Sequence, residues 1–126
     1  MNYLAILVAA VAAFVASAIW YMLFAKQRAA LSPAAGAGRP RPLQALAELV
    51  RSIVLTSVVS YLMSRMGITT MGSAYYLALA LWIGFPVILL TGSAMYEKVP
   101  WKLAAIHAGD WLIKLLLMAS ILALWQ

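Results

Sequence analysis

The sequence predicts an all-α fold, a polytopic transmembrane four-helix bundle, and three observations lead to it. Of the 126 residues, 67% are hydrophobic and only 10% are charged, far from the balance of a water-soluble domain. The apolar residues gather into four runs of roughly 20, the length an α-helix needs to cross the hydrocarbon core of a bilayer. Most of the charges lie between or beside those runs, as they do in membrane proteins. A single integral membrane domain over residues 1–126 is expected from this length. The net charge of +6 raises the question of nucleic acid. The basic residues flank apolar spans instead of forming one stripe, so no nucleic-acid partner is expected. The chain has no cysteine, which excludes disulfides, thiolate catalysis and Cys-based metal sites.

The first helix is predicted over 3–24, a stretch without a charge. Ala16-Ser17-Ala18 resembles a signal-peptidase site. No basic residue precedes the run, however, and it continues through Ile19 to Phe24, so an uncleaved spanning helix is the better reading. Ala5, Ala9, Ala13 and Ser17 repeat every four residues and form a small-residue row that lets another helix approach closely. Residues 25–42 read as a flexible basic loop, rich in Pro, Gly and Ala and carrying Lys26, Arg28, Arg39 and Arg41.

The second helix is predicted over 43–66. Glu48 and Arg51 are three apart and can pair, and Ser52, Thr56, Ser60 and Ser64 continue one hydroxyl-bearing ridge. The third, over 71–94, contains Pro86 with Gly84 nearby, which predicts a kink. The fourth runs over 101–125, entered through Pro100. Tyr3, Tyr75, Tyr76 and Trp125 would gather at one membrane interface, with Trp20, Tyr96 and Trp101 at the other. Lys26, Arg28, Arg39, Arg41, Lys98 and Lys102 fall in two loops on one side, against Arg65 alone on the other. The positive-inside bias then puts the basic loops in the cytoplasm and both termini outside.

The fourth helix is the one around which the chain is organised. His107, Asp110 and Lys114 fall within an arc of roughly 60° at about 100° per residue. Ionisable groups at membrane depth are costly, and by default they mark function or buried pairing. With helices 2 and 4 parallel, Glu48 and Arg51 start at the same depth as His107 and Asp110, which predicts a Glu48/Arg51/Asp110/Lys114 network in the inner leaflet.

Three readings of that cluster compete. It joins helices or the subunits of a homo-oligomer; or it binds a lipid-soluble molecule, with or without acid/base chemistry; or it relays protons or ions in coupled transport. For the second, the catalytic candidates are Asp110, His107 and Glu48, with Arg51, Lys114 and Trp111 binding the substrate. No Gly-rich phosphate loop, nucleophile elbow or H-E-x-x-H is present, and neither a cofactor nor a metal is expected. The leading expectation is a membrane protein whose buried inner-leaflet polar site takes a hydrophobic small molecule or a partner.

Both ends of the chain resemble the bacterial domain-of-unknown-function 1761 family of small four-helix membrane proteins. The residues concerned are Asn2-Tyr3, Trp20-Tyr21 and Leu23-Phe24 before Lys26; then Ala108-Gly109, Leu116 to Ala119 and Ile121 to Trp125. The family pattern usually has Asn at the position of His107 and an aromatic residue at that of Asp110. The resemblance therefore implies the fold and a bacterial inner-membrane location, and it implies no activity. The small multidrug exporters are similar in size, but helix 1 here lacks an acidic residue to couple protons.

Overall fold

The computed structural model describes residues 2–31 and 42–125. The helices in chain order are α1 (Tyr3–Leu23), α2 (Ala25–Leu31), α3 (Pro42–Arg65), α4 (Met71–Trp82), α5 (Ile88–Tyr96) and α6 (Trp101–Trp125). A π-helical turn, Ile83–Val87, joins α4 to α5. Four stretches are long and apolar enough to span a membrane: Tyr3–Leu23, Pro42–Arg65, Met71–Tyr96 and Trp101–Trp125.

Local sequence explains the helix ends. The Asn2 side chain accepts the Ala5 amide at 3.1 Å and caps α1, and Thr70 caps α4 by accepting the Ser73 amide at 3.2 Å. α3 stops at Gly67, whose φ of 67° is open to glycine at no steric cost. There the Ile68 amide reaches back to the Met63 carbonyl at 2.9 Å and the Gly67 amide to that of Ser64 at 3.4 Å, a Schellman closure. Ile68 and Met63, the apolar pair that accompanies this motif, are both buried in the core. Pro86 has no amide hydrogen to give, and the chain accommodates it by widening one turn into the π segment, where the Pro86 ring is buried. The predicted kink is thus a π-turn, and the helix continues past it to Tyr96.

One expectation needs correction. The start of the basic loop is helical: Ala25–Leu31 forms α2. Its residues Ala, Lys, Gln, Arg, Ala, Ala and Leu are all good helix formers, and the helix-breaking Pro and Gly come only from Pro33 onward. The rest of that predicted loop, 32–41, lies outside the described residues.

α6 sits at the centre of the bundle. It packs on α1 along one side and on α4, the π segment and α5 along the other, while α3 packs mainly on α1. Accordingly 39% of the central window of α6 is buried, against 17–28% for the other three spans. α1 and α6 are antiparallel, since Ser17 meets Asp110 while Trp20 meets Ile106. Ala5, Ala9 and Ala13 are fully buried, as the small-residue row requires. From α3, Ser52, Thr56 and Ser60 are buried as well, whereas Ser64 at the end of that ridge is exposed. The outward surface is apolar, as contact with lipid demands: Leu7, Val11, Val15 and Ile19 run along the exposed side of α1. Tyr3, Tyr76, Tyr96, Trp101 and Trp125 are exposed near span ends, as a belt requires. Trp20 departs from it and turns inward onto α6.

Because Gly67 closes α3 in the left-handed region, Gly67→Ala is expected to destabilise the protein by roughly 1–2 kcal/mol. Gly72→Ala, at a helical site with open space around it, should be neutral or mildly stabilising. Denaturant unfolding in micelles measures both, and equal effects at the two sites would show that the Gly67 turn carries no conformational constraint.

Candidate functional site

The fold brings α1 and α6 together at their adjoining ends, and the polar residues of both meet there. On α6, His107, Asp110 and Lys114 are stacked one turn apart on one face; on α1, Ser17 and Tyr21 are likewise one turn apart. Asp110 is only 2% exposed. Its Oδ1 accepts the Ser17 hydroxyl at 2.5 Å, and its Oδ2 lies 3.2 Å from the Tyr21 hydroxyl and 3.0 Å from Lys114 Nζ. Lys114 is itself buried, with its ammonium 4.5 Å from the centre of the Trp111 ring, a favourable cation–π distance. The ion pair runs in the acid-before-base i,i+4 direction. Removing one partner of such a buried pair strands the other, at a cost of about 3–5 kcal/mol.

The chain of contacts continues toward the start of α6. The Tyr21 oxygen is 2.7 Å from His107 Nδ1. The Arg28 guanidinium from α2 covers the Tyr21 ring at 4.4 Å. His107 Nδ1, Tyr21 Oη, Asp110 Oδ2 and Lys114 Nζ therefore form one unbroken line of hydrogen-bonding atoms across about two turns of helix.

Two tryptophans fix that part of α6. Trp20 Nε1 donates to the Ile106 carbonyl and Trp82 Nε1 to the Ala108 carbonyl, each at 2.8 Å. One comes from α1 and the other from α4, so the turn is clamped from both sides. Gly109 makes the first contact feasible. A Cβ at this position would stand 2.5 Å from Trp20 Cζ2, closer than carbon atoms approach.

Between α3 and α6 lies a groove of about 390 Å³. Val50, Val54, Leu55 and Val58 line one wall, Trp111 and Lys114 the other, and Glu48 with Arg51 the polar end. Val50, Val54 and Val58 are also among the exposed apolar residues, so the groove opens sideways toward lipid. Among the described residues, no cluster of three or more His, Cys, Asp or Glu side chains comes together.

The structure thus joins His107 to Asp110 through Tyr21 of α1 and Asp110 directly to Lys114, and sets Trp111 beside Lys114. It does not join the four charges into the single network that helix depth suggested. Glu48 pairs with Arg51 within α3, and Asp110 with Lys114 within α6. The reason is packing: α3 packs mainly on α1 and barely touches α6, so the two pairs face each other across the groove. Ser17, Tyr21, Trp20 and Trp82 are the site residues that sequence reasoning passed over. The signal for the first two was present, because Ala13, Ser17 and Tyr21 continue one face of α1 at spacing four.

Gly109→Ala should cost about 1–3 kcal/mol through overpacking against the indole. Trp20→Phe removes the outer ring that the new Cβ would strike, so Gly109→Ala should cost much less in that background. A double-mutant cycle on unfolding measures the coupling, and strictly additive effects would refute the contact as the cause.

No curated protein and no solved structure matches the chain. A family profile does, over residues 4–123, and its description is "Protein of unknown function (DUF1761)". Trp20 and Gly109, two of the residues through which the sequence resembles that family, touch where α1 crosses α6. With nearly its whole length matched, the chain belongs to the DUF1761 family of proteins.

Proposed function

We propose that this membrane protein binds a hydrophobic small molecule with a polar head, which enters sideways from the bilayer into the groove between α3 and α6. The observation that carries the reading is the position of Lys114. It is a buried ammonium, held by Asp110, that also lines a groove whose walls are otherwise largely apolar. Sites of this kind, apolar with a few placed polar groups, are how proteins orient small hydrophobic ligands. In this reading Lys114 and Arg51 meet the head of the ligand and Trp111 packs on its body. Asp110, His107 and Glu48 supply the acid/base groups. In this reading the basic segments lie in the cytoplasm of a bacterial inner membrane, with both termini outside, as the positive-inside bias supports, and the groove opens to the inner leaflet.

A second reading draws on a different observation. The Glu48 and Arg51 side chains are 46% and 65% exposed on a spanning helix, and charges facing lipid are costly. A second copy of the chain closing over the same groove would cover them, which favours a homo-oligomer in which the charges join subunits.

Native mass spectrometry of the purified protein separates the two. Ligand binding predicts a co-purified hydrophobic molecule of defined mass that is lost in Lys114→Met and in Val54→Trp, which fills the groove from its exposed wall. The subunit count should not change. An empty protein whose subunit count falls in those variants would replace ligand binding with the oligomer.

A further inference from the structure

The line of atoms from His107 to Lys114 has a consequence for what the groove can hold. At rest, Asp110 and Lys114 neutralise each other and the Glu48–Arg51 pair is neutral as well, so the groove lining together with Asp110 carries no net charge; Arg28 lies over the Tyr21 ring and does not line the groove. An anion entering alone would compete with Asp110 for Lys114 and leave a net negative charge at membrane depth, which is expensive. An anion entering with one proton leaves the site neutral, provided that the proton reaches Asp110. The contacts supply that route. We infer that the groove takes amphiphiles with an anionic head, and that each is bound together with one proton delivered to Asp110 through His107 and Tyr21. This inference rests on the ligand-binding reading above.

The transfer balances. Tyr21 has one hydroxyl proton and two neighbours, His107 Nδ1 at 2.7 Å and Asp110 Oδ2 at 3.2 Å. In the resting arrangement His107 donates from Nδ1 to the Tyr21 oxygen, and Tyr21 donates to Asp110. A proton arriving at His107 Nε2 makes the ring cationic. The Nδ1 proton then passes to the Tyr21 oxygen as the Tyr21 proton passes to Asp110 Oδ2. His107 ends neutral with its proton on Nε2, Tyr21 ends neutral, and Asp110 ends as the acid. Neutral Asp110 keeps the Ser17 hydroxyl as a partner at 2.5 Å. Lys114 no longer faces a carboxylate and turns its charge to the groove that it lines.

The groups around Asp110 fit this assignment from every side. α1 contributes Ser17 and Tyr21, α2 contributes Arg28 on the Tyr21 ring, and α6 contributes His107 and Lys114. α3 presents Glu48 and Arg51 across the groove. α4 reaches this turn through Trp82, which binds the Ala108 carbonyl and adds no charge. Glu48 and Arg51 hold each other, so Lys114 is the cation that protonation of Asp110 releases.

The test is calorimetric titration of decanesulfonate, which stays anionic at any pH used, into the protein in phosphatidylcholine nanodiscs. Repeating it in two buffers of different ionisation enthalpy counts protons. The unmodified protein should take up close to one proton per anion, with affinity falling about tenfold for each unit rise in pH wherever that proton is taken up. Asp110→Asn, which mimics the protonated acid, should bind at least as tightly, with no proton uptake and no pH slope. Anion binding by the unmodified protein without proton uptake would overturn the coupling while leaving the groove as a binding site. That measurement needs no variant, so it decides the matter even if Asp110→Asn fails to fold. An absence of anion binding in a protein that retains its own uncharged ligand would remove the anionic class. An absence of all ligands would remove the binding reading and the coupling together.

Discussion

A carboxylate cannot lie in hydrocarbon without donors, and the way Asp110 obtains its donors governs the rest of this structure. Water that would solvate such a group at a protein surface is missing at membrane depth, so each lone pair must be met by the protein. Asp110 meets that demand from two helices. Lys114 supplies the compensating charge from the next turn of α6, while Ser17 and Tyr21 reach over from α1. Hydrophobic association does not hold helices together in lipid, because lipid tails are as apolar as leucine. Close packing of small residues and polar contacts across helices replace it, and the α1–α6 contact uses both. Ala5, Ala9 and Ala13 bring the backbones close, and the Asp110 cluster ties them at one end. On the opposite side of α6, Ser120 donates to the Tyr75 hydroxyl at 2.9 Å and ties α4 near the other end.

The fold was legible from sequence because bilayer thickness leaves few choices. Four apolar runs of the right length, separated by Pro, Gly and charged residues, admit little besides four spanning helices. Helix ends were legible where a local motif fixes them, as at Gly67 and Pro100. α2 was not, because the composition of residues 25–42 was averaged. Helix formers fill the first seven positions and the Pro- and Gly-rich stretch comes afterwards. Within the site, the stacking of His107, Asp110 and Lys114 followed from helical spacing alone. Their partners did not follow, because pairing depends on which helices are neighbours. Depth along the membrane placed Glu48 and Arg51 level with the α6 charges. Depth says nothing of lateral position, and laterally α3 belongs to α1. The tryptophans were hidden for another reason. At an interface an indole serves equally as a belt residue or as an inward donor, and only the glycine opposite Trp20 distinguishes the two.

That glycine connects the helix crossing to the chemistry of the site. Trp20 lying on Gly109 sets how closely α1 approaches α6, and its bond to the Ile106 carbonyl fixes where along α6 it lies. With distance and register fixed, Ser17 and Tyr21 are within bonding reach of positions 107 and 110, whatever residues stand there. In this chain the clamp is Trp20 on one helix and Gly109 on the other. Two ionisable residues, His107 and Asp110, stand on either side of Gly109. Exchanging side chains on either side of a fixed backbone contact leaves the helix crossing intact. The crossing itself therefore does not depend on which side chains stand at positions 107 and 110. In this chain it holds a carboxylate, an imidazole, a phenol and an ammonium in one line, and that line ends at a groove open to the bilayer.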